Sequence, residues 1–463
     1  MQKRREFVRS TLSLPLALAG GSALRLLAPA PVEAAEISGY RALVCVFLFG
    51  GMDCHDTVLP VDEASWDSYA GIRETLLDAY AALPGGSSRT RNSLLELDPL
   101  TASTGSRRFG LPPELSAMHT LFEQGRAAIV GNVGPLKEPT NRDMLLGGTA
   151  QLPARLFSHN DQQSTWMSFG PEGAQFGWGG LFSDAAVQAG ANAQGIFSGV
   201  SLGGNVVFLT GNQVSPYQIS AQGVPSIGLI DAAGNRVSAA ARAAMRDHFA
   251  AGNDTPANLF ERDFVDLSRI SLDANDTALA SGSGLTTQFP VSSLGAQLRT
   301  VAQTIAVRGE LGAGRQVFFV SQGGFDTHSG QVSTLPALQR DLGDSIAAFY
   351  AATEELGVAQ DVTTFTAADF GRTLTVNGDG TDHGWGAHHF VVGGGVNGGD
   401  IYGDIPVFEL GHAQDAGNGR LIPGVSVEQF AAPLGRWFGL GEEELAAALP
   451  GLASFSAPAP GFI

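Results

Sequence analysis

From Ala42 to Phe49 the chain runs through eight uncharged residues rich in Val, Leu and Phe, then stops at Gly50-Gly51. A continuous apolar run of that length, closed by glycines, predicts a strand buried on both faces, as in a parallel sheet. Leu115, Met118 and Phe122 then recur at helical spacing up to Gly125, and Ala127 to Val130 supplies a second short strand. The alternation returns later in the chain. Val301 and Ile305 mark a helix, Val317 to Val320 a strand, Leu335, Leu338, Leu342, Ile346 and Phe349 a long helix, and Val362 to Thr366 and Phe390 to Val392 further strands. Strands separated by helices predict βαβ units with right-handed crossovers, hence an α/β fold with a doubly wound, mostly parallel sheet flanked by helices.

Three stretches break the pattern. Residues 84–108, with Pro-Gly-Gly-Ser-Ser and Thr-Ala-Ser-Thr-Gly-Ser, read as a loop. The Gly-rich middle, from about Gly190 to Gly234, carries alternating runs such as Asn205-Val-Val-Phe-Leu-Thr, and 251–290 is polar and punctuated by Asn, Asp, Ser and Gly. Together they predict an insertion around 190–290 within one domain spanning 35–463. The 61 glycines follow no fixed period, which excludes a collagen-like or solenoid repeat.

The first 34 residues stand apart. Lys3, Arg4 and Arg5 precede Phe7 and an apolar run from Leu12 to Leu27 that Pro15, Gly20, Gly21 and Arg25 interrupt, with Val32 and Ala34 at the positions of a small-residue cleavage site. This predicts a twin-arginine signal peptide, an export partner in the twin-arginine machinery, and a periplasmic or secreted product carried out already folded. No later stretch of eighteen uncharged apolar residues occurs, so no stable membrane anchor is expected. Losing five basic and two acidic leader side chains takes the net charge from −18 to −21, which argues against nucleic acid as a partner. The two cysteines, Cys45 and Cys54, are separated by an extended segment and are expected to be free thiols, Cys45 inside a strand.

Candidate chemistry is concentrated in short segments placed mostly after strands. Six of nine histidines fall in Gly50-Gly-Met-Asp-Cys-His-Asp56, Phe157-Ser-His-Asn-Asp161, Gly323-Gly-Phe-Asp-Thr-His328 and Thr381-Asp-His-Gly-Trp-Gly-Ala-His-His389, with Ala368-Asp-Phe-Gly-Arg372 a fifth segment that has Asp but no His. One Asp-x-His alone reads as a turn stabilised by its own side chain. Several, gathered along the carboxyl edge of a parallel sheet, suit a divalent cation: imidazole and carboxylate together fit Zn, Mn or Fe, and Mg where oxygens dominate.

These motifs, with Leu48-Phe-Gly-Gly-Met-Asp53, Leu156-Phe-Ser-His159 followed by Trp166, Gly324-Phe-Asp-Thr-His328, Asp369-Phe-Gly-Arg-Thr373 and Gly393-Gly-Gly-Val-Asn-Gly-Gly399, resemble secreted bacterial proteins grouped as domain of unknown function 1501, within the alkaline phosphatase and sulfatase superfamily. The resemblance spans nearly the whole chain and implies an alkaline phosphatase-like fold with a two-metal hydrolase site. It implies metal ligands at Asp53, Asp326, His328, Asp369, Asp382, His383 and either His388 or His389, and a nucleophile at a helix N-terminus, for which Ser158 is the candidate. Ser158 equally suits a helix cap. Arg372 suits either a substrate oxyanion or a neighbouring carboxylate such as Asp369. The chain departs from the superfamily where Asp369 is followed by Phe370 in place of histidine, and a Cys-x-Pro-x-Arg sulfatase signature is absent.

Two functions compete on this reading: metal-dependent hydrolysis of a small or polymeric phosphate or sulfate ester, and a non-catalytic secreted binding or assembly protein that retains the fold. A redox role lacks a Cys-rich cluster, haem-attachment motif or dinucleotide fingerprint.

Overall fold

The computed structural model describes residues 38–83, 89–101, 107–193, 195–221, 238–250 and 284–463. The predicted leader and residues 251–283 of the polar excursion lie outside the described residues.

Twelve strands form among the described residues: β1 Arg41–Leu48, β2 Leu59–Pro60, β3 Leu95–Glu96, β4 Phe109–Leu111, β5 Ala127–Gly134, β6 Gly199–Ser201, β7 Tyr217–Gln218, β8 Arg315–Gln322, β9 Val362–Ala368, β10 Ala387–Gly393, β11 Ile401–Tyr402 and β12 Val425–Ser426. Nine make one sheet in the order β11-β5-β10-β9-β1-β8-β6-β7, with β12 also on β5, while β2, β4 and β3 form a small separate sheet. The large sheet is mixed but mostly parallel: β1 pairs in parallel with β8 and β9, and β10 runs antiparallel to both β9 and β5.

The alternation of β1 shows why this sheet is stable. Ala42, Val44, Val46 and Leu48 pack on one face against Leu298, Val301 and Ile305 of helix Ser293–Ala306, Leu342, Ile346 and Phe349 of helix Gln331–Glu355, and Met118 and Phe122. Leu43, Cys45 and Phe47 pack on the other face against Trp166 of helix His159–Ser168, Phe182 of helix Trp178–Gln188 and Phe430 and Leu434 of helix Val427–Phe438. Two apolar faces demand two covers, and each fully buried Val, Leu or Phe contributes about 1.5–3 kcal/mol. Helices therefore flank the sheet on both sides.

Within the Gly-rich stretch read as an insertion, β6 and β7 extend the main sheet at its edge. Residues Val207–Leu209 form a 3-10 turn, with Phe208 buried edge-on to Trp178. Cys45 and Cys54 are both buried free thiols. Among the described residues no helix is long and apolar enough to cross a membrane.

Candidate metal centre

Five parts of the chain meet at one edge of the sheet. β1, β8 and β9 end there, delivering Gly50, then Asp326 and His328, then Asp369 and Arg372. β10 runs the other way, so the residues before its start, Asp382 and His383, reach the same edge. The fifth part is helix His159–Ser168, whose first residue is His159.

Backbone geometry at this edge is exacting. Gly50 has φ +114°, and a Cβ there would lie 2.2 Å from the Asp326 nitrogen, so the β1 turn and the Asp326 loop approach as only glycine allows. Arg155 and Phe157 adopt left-handed φ of 48° and 73° just before the helix, a conformation that costs on the order of 1 kcal/mol or more for such residues. Its outcome is that the Phe157 carbonyl accepts a hydrogen bond from His383 Nδ1 at 2.8 Å.

Three imidazoles are oriented in the same sense. His159 Nδ1 donates to Asp369 Oδ2 at 2.6 Å, His383 Nδ1 to the Phe157 carbonyl, and His328 Nδ1 to Asp382 Oδ1 at 3.2 Å. A neutral ring protonated at Nδ1 keeps its lone pair on Nε2. All three Nε2 atoms approach the Asp326 carboxylate: His383 and His328 lie 3.2 Å from Oδ1, and His159 lies 3.5 Å from Oδ2. The Nε2 atoms of His328 and His383 are 2.8 Å apart, a contact that a shared proton or a cation would satisfy. His159 Nε2 is buried with no hydrogen-bond partner, 3.5 Å from Asp326 Oδ2. Single ligand atoms of His159, Asp326 and His383 all lie within 4.8 Å of one another. Ligand atoms about 2.0–2.1 Å from a tetrahedral zinc are separated by roughly 3.4 Å, so this donor set fits a transition-metal ion.

Arg372 shapes the charge of the site. It is fully buried, and its Nη1 donates to Asp326 Oδ1 at 2.8 Å and to the Gly50 carbonyl at 3.1 Å, while Nη2 and Nε bond Thr381. Burial alone would raise the Asp326 carboxyl, but the Arg372 hydrogen bond and charge outweigh it and hold Asp326 below the usual carboxylate range. Hydrogen bonding to Asp369 raises His159, whereas partial burial lowers His383.

The remaining expected residues are placed elsewhere. Asp53 is turned away from this role: both its oxygens accept from Arg73, at 2.7 and 3.0 Å, and Gln331 and the His55 amide take further lone pairs. His388 and His389 belong to β10 itself, which begins at Ala387, so they are buried in the sheet. His388 Nδ1 accepts the Asn132 amide and His389 lies edge-on to Trp166, and burial pushes both down to about 3, leaving them neutral. Asp369 and Asp382 stand behind imidazoles and are not part of the three-residue group. Ser158 occupies the N-cap position, and its hydroxyl donates to Asp161 Oδ2 at 3.0 Å. Arg372 holds a carboxylate, and it is Asp326, not Asp369.

His159 was not among the expected ligands, although its segment was. No local signal marked it, because its partner Asp369 lies 210 positions further along the chain. Gln163, one turn further along the helix, also bonds Asp369 Oδ2, at 2.9 Å, and carried no signal at all.

What this geometry defines is an α/β protein with an Asp/His cluster at the carboxyl edge of its sheet. The chain belongs to the family described as protein of unknown function DUF1501, whose model matches residues 40–452. No curated protein matches it. Among solved structures, the C-terminal periplasmic domain of EptC from Escherichia coli, in complex with Zn, is 10% identical, covering 78% of this chain and 75% of that one at a TM-score of 0.30. A Bacteroides thetaiotaomicron structure concerned with metabolism of multiple glycosaminoglycans, labelled 4S-sulf, is 11% identical, covering 78% and 69% at a TM-score of 0.31. Scores of this size carry no argument about fold or activity.

Proposed function

We propose that this protein is an exported, alkaline phosphatase-like, metal-dependent hydrolase of phosphate or sulfate esters. The observation that carries the reading is the convergence of three Nε2 lone pairs on the Asp326 carboxylate, each ring fixed by an acceptor at Nδ1. His159, His383 and Asp326 would hold a divalent ion, with His328 beside them. Such an ion supplies Lewis acidity to an ester oxygen and lowers the pKa of a bound water.

The chain's own residues do the rest. Arg372 keeps Asp326 ionised and aimed. His328, with 42% of its side chain exposed, sits on the solvent side of the cluster. The attacking group is a water or Ser158, whose hydroxyl donates to Asp161 Oδ2 in the first turn of its helix.

The test is metal content by mass spectrometry on the folded, exported protein, together with hydrolysis of p-nitrophenyl phosphate and p-nitrophenyl sulfate. About one divalent ion per chain is expected, lost in Asp326→Ala and in His159→Ala, with hydrolysis abolished by a chelator and restored by zinc. A metal-free wild type, or hydrolysis that survives chelation, sinks the proposal. A second reading, an exported binding or assembly protein, is favoured by Arg372: every one of its nitrogens is engaged within the protein, so it offers no free fork to a substrate oxyanion. That reading expects bound metal with no turnover of either ester.

A further inference from the structure

We infer that Asp369 is a positioning residue for the metal centre, acting on it only through His159, and is not itself a ligand. The inference rests on the metal site proposed above and says how that site is aimed. Asp369 is fully buried. Its Oδ2 accepts three donors: His159 Nδ1 at 2.6 Å, Gln163 Nε2 at 2.9 Å and the Gly50 amide at 3.3 Å. These come from the first turn of helix His159–Ser168, its second turn, and the turn after β1, so one carboxylate oxygen ties together two elements that no segment of continuous chain joins locally.

The chemistry follows from that arrangement. A carboxylate accepts but cannot donate, so the proton shared with His159 resides on Nδ1 and the lone pair is forced to Nε2, which lies 3.5 Å from Asp326. A negative acceptor behind the ring also makes Nε2 more basic and a stronger donor to a cation. The Gly50 amide and Gln163 hold Oδ2 in place, while Oδ1 is buried with no hydrogen-bond partner. His383 receives the weaker version of the same support from the neutral Phe157 carbonyl. His328 receives it from Asp382, whose side chain is 42% exposed and so is less rigidly held. Of the three rings, His159 is the one whose direction and basicity are both set by a buried charge.

Zinc affinity of the full-length protein, measured by competition with a chromophoric chelator, tests this. Asp369→Asn preserves the shape but removes the charge, and outer partners of this kind typically change metal affinity by about 10- to 100-fold. A loss in that range is expected in Asp369→Asn. In a His159→Ala background the same substitution is expected to change affinity less than about twofold, because its route to the metal is gone. An equal loss in both backgrounds would show that Asp369 reaches the ion directly, and no loss in either would show that it has no part; both overturn the inference. Gln163→Ala, which keeps the charge, is expected to cost only a few-fold. Should Asp369→Asn fail to fold, NMR of 15N-labelled imidazoles in zinc-loaded wild type decides instead. His159 protonated at Nδ1 and metallated at Nε2 supports the inference, and the opposite assignment defeats it. Wild type that binds no zinc removes the metal centre itself, an outcome distinct from wild type that binds zinc while Asp369→Asn binds it equally well.

Discussion

Two Asp-bearing turns leave the same sheet side by side and meet opposite fates. After β1, Asp53 is locked to Arg73 and Asp56 to Arg89, with all four side chains withdrawn from solvent. After β8, Asp326 keeps 46% of its side chain exposed and faces three imidazoles beside its single guanidinium. A guanidinium is charged at every working pH and completes a carboxylate permanently. A neutral imidazole offers a lone pair and leaves the negative charge in want of a cation. What separates the two acids is that Arg73 engages both oxygens of Asp53, whereas Arg372 engages only Oδ1 of Asp326 and leaves Oδ2 toward His159.

The comparison can be broken in several places. The largest effect is expected from Arg73→Met, which strands Asp53 as an unpaired buried charge and should cost about 3–5 kcal/mol in urea denaturation. Zinc affinity of the folded variant should stay at the wild-type value. If affinity falls with stability, Asp53 belongs to the centre after all. Next, zinc at a hundred times its Kd should stabilise wild type by about 2.7 kcal/mol and leave Asp326→Ala unmoved, read from thermal melts with and without chelator.

A third kind of acid sharpens the rule. Glu428, near the start of helix Val427–Phe438, is buried without a guanidinium, and burial pushes its carboxyl up from 4.5 to about 6. The folded state thus holds a proton between pH 4.5 and 6 that the unfolded chain has released, so stability should fall as pH rises through that window and stay lower above it. The loss is about 2 kcal/mol. Glu428→Gln should flatten the stability profile there and be the more stable protein at pH 7; a profile that keeps its slope refutes the assignment. Asp326→Ala without metal deprives the fully buried Arg372 of its carboxylate and is expected to cost about 1–3 kcal/mol in melts run with chelator.

Much of the fold was legible because it rests on local periodicity. The apolar run at 42–49 became β1, 362–366 lies within β9, and the spacing of Leu335, Leu342, Ile346 and Phe349 lies within the helix Gln331–Glu355. Strand direction was not legible, since an apolar run reads the same both ways, and β10 proved antiparallel. That same limit explains His388 and His389: the strand starts at Ala387, earlier than Phe390, and so withdraws both rings into the sheet. Asp53 misled because its partner, Arg73, sits 20 residues later on the boundary between two helices with no motif to mark it. His159 and Gln163 were hidden for a plainer reason: their partner is more than 200 positions away, and nothing local records such a contact.

The reversed strand has a consequence for the order in which the molecule is made. β10 fills an interior slot between β5 and β9, whose residues are synthesised far apart, at 127–134 and 362–368. A nascent chain that stops short of Ala387 already contains His159, Asp326 and His383 but lacks the strand that draws His383 to the others. High-affinity zinc uptake is therefore expected to switch on only when the last interior strand has seated, which would make the ion a stamp of completed assembly.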